Sequence, residues 1–283
     1  MNRPQLAQQA MREAGRLRTV NGISLADSIC PYDIAIRCGL TVQFLTVPSL
    51  EGMYEAERGA IFIGSERPAG RRRFTCAHEL GHHVFQHGTS LDQLRTAHTD
   101  NSNPEEFLAD SFAASLLMPK TAVDAALSRR GWAHRPFTAR MVFELSHDLG
   151  VAYDALVIHL NLVLRYISGA LRAQLEKKKL PDIRDEIAGF TVPYDTFVLD
   201  ENWGARPVDL EVGDVLVGQA TIMEGISIEA VPTPVRHLFA VRPGIAELRL
   251  ASGRTITARV MRRDYAGRAQ FRYEEDAEEI ENQ

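Results

Sequence analysis

His78-Glu79-Leu80-Gly81-His82 sets two imidazoles four residues apart, with a carboxylate directly after the first. On a helix, positions 78 and 82 share one face, so both rings can reach a single metal ion. Glu79 then stands beside the ion rather than on it, placed to take a proton from water whose pKa the ion has lowered. Background composition gives such a match by chance on the order of one time in a hundred in a chain this long, so the motif needs support from elsewhere. A catalytic zinc also needs a third protein ligand and an open coordination position. In Glu105-Glu106-Phe107-Leu108-Ala109-Asp110, the carboxylates at 106 and 110 share a helical face. Glu106 is the candidate third ligand, and Asp110 the candidate acceptor that orients a ligating imidazole. Glu105 reads better as a solvated acid near a helix N-terminus.

Other histidines lie close by. His83 and His87 are also four apart, but no carboxylate accompanies them in zinc-peptidase spacing, so a surface or supporting role is expected. A histidine six residues after His82 would indicate a metzincin; Gly88 stands there. Stabilising a developing oxyanion needs a donor opposite Glu79, for which Tyr54 is the first candidate, followed by His98 and His87. A peptide substrate could add to a sheet edge near Met53 to Ile63 through main-chain hydrogen bonds.

The elements that must position these groups follow from pattern. Residues 3 to 18 read as a polar amphipathic helix, and Pro31 to Cys38 as a short one stopped by Gly39. Leu40 to Val47 and Ala60 to Ile63 read as strands, with Gly52 and Gly59 permitting a turn between them. Arg71 to Arg73 lead into a helix from about Phe74 to Gln86. A polar loop from Gly88 to Asn103 follows, and Pro104 opens a helix that ends at Met118-Pro119. Residues 120 to 180 are mainly helical, and Leu180-Pro181 reads as a linker. Beyond Phe190 the pattern changes to short strands, including a hairpin around Ser252-Gly253, before an acidic tail from Glu274 to Glu281. The expected division is a metal-binding core at 1–125, a helical extension at 126–180 and a β-rich domain of unknown role at 181–283. Because every motif block precedes residue 165, the first 170 residues are expected to fold and bind metal by themselves.

Composition narrows the function. A formal net charge of -5 argues against a protein built to coat nucleic acid. Phe143 to Val151 followed by Asp154-Ala155-Leu156 has a helix-turn-helix rhythm. Tyr153 to Leu164, however, offers mainly Leu, Val and Ile where a reading helix needs Arg, Lys, Asn or Gln. Packing against the core is expected there, and direct nucleic-acid binding is not. Three cysteines without C-x-x-C spacing suit reduced thiols, and the first residues lack the apolar run of a secretion signal. His159, Asn161 and Arg165 break the most apolar stretch, Ala155 to Leu171, so no membrane span is expected. A cytoplasmic protein is the expectation.

Several blocks together resemble one family. Phe74-Thr75-Cys76-Ala77 before the motif and His83 after it, then Glu106-x-x-Ala109-Asp110-x-Phe112-Ala113-Ala114-x-Leu116-Leu117-Met118-Pro119, resemble the ImmA/IrrE family of bacterial metallopeptidases. Gly52-x-Tyr54, Ile61 to Ile63 and Leu145 to Leu162 extend the resemblance over roughly residues 30 to 165. Members commonly carry Asn where Asp110 and Gly64 stand. The resemblance implies an α+β fold with a compact gluzincin-like zinc peptidase core. It implies ligand roles for His78, His82 and Glu106 and the base role for Glu79. It also implies site-specific cleavage of a protein substrate, a helix-turn-helix repressor or similar regulator. Two rival readings are a DNA-binding transcription regulator with a structural zinc and a non-catalytic interaction scaffold. A base beside the metal counts against both, since a purely structural site has no need of one.

Overall fold

Nine helices and thirteen strands are described in the computed structural model, which covers residues 2–93, 103–231 and 237–275. In chain order they begin with α1 (Arg3–Val20), α2 (Pro31–Arg37), β1 (Thr41–Leu45), β2 (Leu50–Glu55) and β3 (Ala60–Gly64). Next come α3 (Ala69–Phe85), β4 (Ser90–Gln93) and α4 (Pro104–Leu117). The helical middle holds α5 (Lys120–Arg129), α6 (Ala139–Leu149), α7 (Tyr153–Leu162), α8 (Gly169–Glu176) and α9 (Leu180–Ala188). The remainder holds β5 (Thr196–Val198), β6 (Val208–Glu211), β7 (Val215–Val217), β8 (Ala220–Glu224), β9 (Ile228–Val231), β10 (His237–Ala240), β11 (Gly244–Leu250), β12 (Thr255–Met261) and β13 (Gly267–Arg268). The fold is mixed α and β.

The sheet under the motif helix runs in the order β13-β1-β3-β2-β4. β1 and β3 are parallel; β2 pairs antiparallel with β3 on one side and β4 on the other. The segment 53–63 is therefore interior to the sheet, and the expected free edge there does not exist. Among the described residues the outer strand on that side is β4, a segment read from sequence as loop. β2 was likewise read as turn because of Gly52. Its alternating burial (Leu50, Gly52 and Tyr54 inward) marks it as a strand with one buried face.

α3 starts at Ala69, one turn before the expected Phe74, so Arg71 to Arg73 are helical. Arg72 and Arg73 are buried because acids far along the chain meet them: Glu211 pairs with Arg72, and Asp209 lies 3.6 Å from Arg73. Leu180-Pro181 opens α9, with the proline in the first turn where its missing N–H costs nothing. The expected hairpin is present as β11 and β12, with Gly253 at φ 88° in its turn.

α4 packs against the motif helix, and α1 packs against α4. α1 is fixed by a capping box in which the Asn2 side chain accepts from the Gln5 amide and the Gln5 side chain accepts from the Asn2 amide. At its other end the buried Arg18 guanidinium donates twice to the carbonyl of Leu116, in the last turn of α4, at 2.6 and 2.9 Å. A cation at the carbonyl end of a helix is favourable, and here it ties α1 to the helix that bears Glu106. Leu80, Phe112 and Leu116 are fully buried between these elements, each contributing about 1.5–3 kcal/mol.

The β-rich part forms two four-stranded sheets, β5-β7-β10-β9 and β6-β12-β11-β8, around a cluster containing Trp203, Leu210 and Leu248. It is not separate from the first half. β13 pairs with β1, and Met261, Tyr265 and Ala269 belong to the same buried cluster as Phe44, Leu80 and Phe112. These contacts bear on the expectation that the first 170 residues suffice for the core, since the outermost strand of that sheet comes from residue 267. The tail beyond Glu275 lies outside the described residues.

Candidate metal centre

The site depends on how closely two helices approach. At Gly81 a Cβ would lie 3.1 Å from Ala109 Cα and 3.2 Å from Phe112 Cδ1, so α3 and α4 nearly touch backbone to backbone there. Glycine permits that approach. Around that contact, His78 and His82 on α3 face Glu106 and Asp110 on α4. The Nε2 atoms of His78 and His82 are 3.0 Å apart, and the Glu106 carboxylate lies 3.5 Å from the first and 3.6 Å from the second. One donor atom from each of the three residues falls within 4.8 Å of the others, the one such grouping among the described residues.

These separations suit a divalent ion. Zinc–ligand bonds of about 2.0–2.1 Å in a tetrahedron put neighbouring donors about 3.3–3.4 Å apart, close to the three distances seen. Two neutral imidazoles and one carboxylate occupy three positions and leave the fourth for substrate or water, the pattern of catalytic rather than structural sites.

Outer partners hold the ligands. Asp110 Oδ1 is 2.8 Å from His78 Nδ1, as its spacing predicted, although its side chain is 53% exposed. A carboxylate there selects the tautomer whose Nε2 lone pair faces the ion. Burial alone would lower the His78 pKa, but hydrogen bonds to Asp110 and Glu106 outweigh it and carry it to about 10. His82 moves the other way, to about 4, through burial and the positive His78 beside it. Two imidazoles this close oppose each other's protonation, so both are not charged together.

His87, for which the sequence predicts a surface or supporting role, meets the other ligand: its Nδ1 is 3.0 Å from His82 Nδ1. His83 points elsewhere, its Nδ1 2.8 Å from the Tyr54 hydroxyl. Tyr54 thus reaches α3 one turn beyond Glu79. His98 lies outside the described residues. Glu105 is exposed, as expected of a solvated acid.

Glu79 is fully buried. Its Oε2 accepts from the Ser90 hydroxyl at 2.9 Å, and a Cβ on Gly52 would fall 2.5 Å from its Oε1. Sequence reasoning missed both contacts. Gly52 was visible but read as a turn, whereas a glycine inside a strand also signals close approach. Nothing in the local pattern marked Ser90.

Residues 39–161 match the family model of the IrrE N-terminal-like domain, a peptidase family. Over these residues the chain is similar to that peptidase family. Two curated relatives are both called radiation response metalloprotease IrrE. The one from Deinococcus deserti is 33% identical over 98 residues, covering 33% of this chain and 34% of the relative. The one from Deinococcus radiodurans is 27% identical over 169 residues, covering 59% and 46%. The matches thus span about a third to a half of those ImmA/IrrE relatives. Among solved structures, a Mycobacterium tuberculosis transcriptional regulator aligns with a TM-score of 0.37 and 17% identity over 54% of this chain and 46% of that one, too loose a likeness to support any conclusion.

The helix-turn-helix-like segment is α6, Gly150 and α7. Its second helix exposes Asp154, Ile158 and Leu162, and its one histidine, His159, is buried with its pKa lowered by burial to about 4. That surface offers no cation to phosphate or base edges. No helix among the described residues is long and apolar enough to cross a membrane.

Proposed function

We propose that this protein is a zinc-dependent endopeptidase with a gluzincin-like site, cutting a regulatory DNA-binding protein of the repressor type at a specific bond. The convergence of His78, His82 and Glu106 beside a buried Glu79 carries this reading. The three ligands hold the ion, and Asp110 and His87 fix the rings of His78 and His82. When bound, the ion supplies Lewis acidity that lowers the pKa of water and polarises the scissile carbonyl. Glu79 accepts the proton released by the attacking water and passes it to the leaving amine. Its burial keeps that proton from bulk solvent. The outer strand β4, which carries Ser90 against Glu79, offers main-chain groups to which an extended substrate segment can add.

Restriction to one substrate is part of the proposal. An unrestricted peptidase would damage the cell that makes it, and remote contacts that position one bond give selectivity through transition-state binding. The β-rich part is the candidate source of such contacts. An intracellular setting accords with three free cysteines.

Metal analysis and co-expression test the proposal. About one zinc per chain is expected in the wild type and in Glu79→Gln, and loss of zinc when His78, His82 or Glu106 becomes Ala. Co-expression with helix-turn-helix regulators encoded nearby should give discrete fragments with the wild type and none with Glu79→Gln. Zinc binding without cleavage would support the scaffold reading instead, and cleavage of casein at the rate of any regulator would refute the claimed selectivity.

A further inference from the structure

The carboxylate of Glu79 meets the sheet at two neighbouring strands. β2 and β4 are paired so that Gly52 stands opposite Asp92 and Tyr54 opposite Ser90. Directly opposed residues of an antiparallel pair project to the same face, and so do residues two apart on one strand. Gly52, Tyr54 and Ser90 therefore present one face to α3. They meet two of its residues one turn apart: Tyr54 bonds His83, while Gly52 and Ser90 close on Glu79.

The last torsion of a glutamate side chain is soft and broadly two-fold, so packing along the stem does not fix the plane of the carboxylate. A hydrogen bond to one oxygen does. The Ser90 hydroxyl donates to Oε2 at 2.9 Å, and the absent side chain of Gly52 leaves the space that Oε1 fills. Even a methyl group at 52 would stand 2.4 Å from Thr75 Cγ2 and 2.5 Å from Oε1, forcing the glutamate to shift.

We infer that Ser90 is a positioning residue for Glu79: its hydroxyl holds the plane of the buried carboxylate, in the space left by Gly52, so that the oxygen accepting the proton keeps a constant relation to the metal ligands. For its effect on rate the inference rests on the peptidase reading above. For its geometry it does not. Ser90 contributes no metal-ligand atom, so its loss leaves the ion in place.

The test compares the zinc-loaded wild type with Ser90→Ala, Ser90→Thr and Gly52→Ala by crystallography, metal analysis and turnover of a peptide library made from the host proteome. All four proteins should bind zinc equally. In Ser90→Ala the Glu79 carboxylate should be rotated or split between orientations, with kcat down about ten- to hundred-fold and KM unchanged. Ser90→Thr, which keeps the hydroxyl, should restore both the orientation and kcat, and Gly52→Ala should displace the carboxylate by a separate route. A single wild-type orientation in Ser90→Ala would overturn the inference whatever the activity. If the wild type cuts nothing that Glu79→Gln leaves intact, the peptidase reading fails instead, and the crystallographic comparison still decides the role of Ser90.

Discussion

Asp110 illustrates how much one outer carboxylate does for a metal ligand. It touches no ion; it fixes which nitrogen of His78 is protonated and which way the ring faces, through a 2.8 Å contact at Nδ1. Losing such a partner commonly costs about 10–100-fold in metal affinity. Asp110→Ala should therefore weaken zinc binding by about that factor in a competition titration against a chelator of known affinity, while Asp110→Asn, which keeps an acceptor oxygen, should bind within a few-fold of the wild type. Equal affinity in all three would mean that the ring is held by packing alone. The 53% exposure of Asp110 makes destabilisation an inadequate explanation of a large effect, because surface substitutions seldom change folding by more than about 0.5 kcal/mol.

Between α3 and α4, backbone contact at Gly81 sets the spacing of the four facing side chains, so a β-branched residue there should pull Glu106 away from the histidines. Gly81→Val is expected to lower zinc affinity more than stability, read by the same titration alongside thermal unfolding. An unchanged affinity would show that the helices can part without moving the ligands. How well each element could be read from sequence depends on how local its cause is. The motif helix and α4 were legible because ligand spacing and helical period coincide at 78/82 and 106/110. β4 was not, because Ser90 to Gln93 has no apolar alternation and becomes a strand by pairing with β2. Gly52 misled for a related reason, its partner being a side chain 27 positions away on another element. The start of α3 was missed because three consecutive arginines look like a solvated lead-in, and the acids that make two of them, Arg72 and Arg73, core residues lie near position 210.

Across the whole molecule, the β-rich part is joined to the motif helix by a buried charge network centred on Asp209. Its carboxylate is 2.6 Å from Arg259, 3.2 Å from Arg206 and 3.6 Å from Arg73, and accepts from the Tyr273 hydroxyl at 2.8 Å; Arg259 and Arg272 also reach Asp33 on α2. A chain cut near residue 170 would lose β13 and leave Arg72 and Arg73 without Glu211 and Asp209. It is expected to unfold without a cooperative transition, and a sharp calorimetric transition from that fragment would contradict the interlocking described here. The intact network also fixes how stability responds to acid. Burial alone would raise the Asp209 pKa, but Arg73, Arg259 and Arg206 overcome it and hold the carboxyl far below the usual range; Asp33 is lowered too, by Arg272 and Arg259 against its own burial. A carboxyl depressed in the folded state stabilises the fold above its unfolded pKa near 4, and that stabilisation is lost as pH falls through the range beneath it. Asp209→Asn leaves the buried Arg73 and Arg206 and the half-buried Arg259 short of a counter-charge, so at pH 7 it should cost about 3–5 kcal/mol. The gap between wild type and variant should begin to narrow as the pH drops below about 4, since the unfolded chain then takes up a proton that the folded wild type still refuses, and it closes only as the pH falls on through the depressed folded value. Urea unfolding of the metal-free proteins at a series of pH values measures this, because histidine titration is common to both proteins and cancels in the difference, and a gap that stays constant down to pH 3 would mean that Asp209 is not the anionic centre of the network.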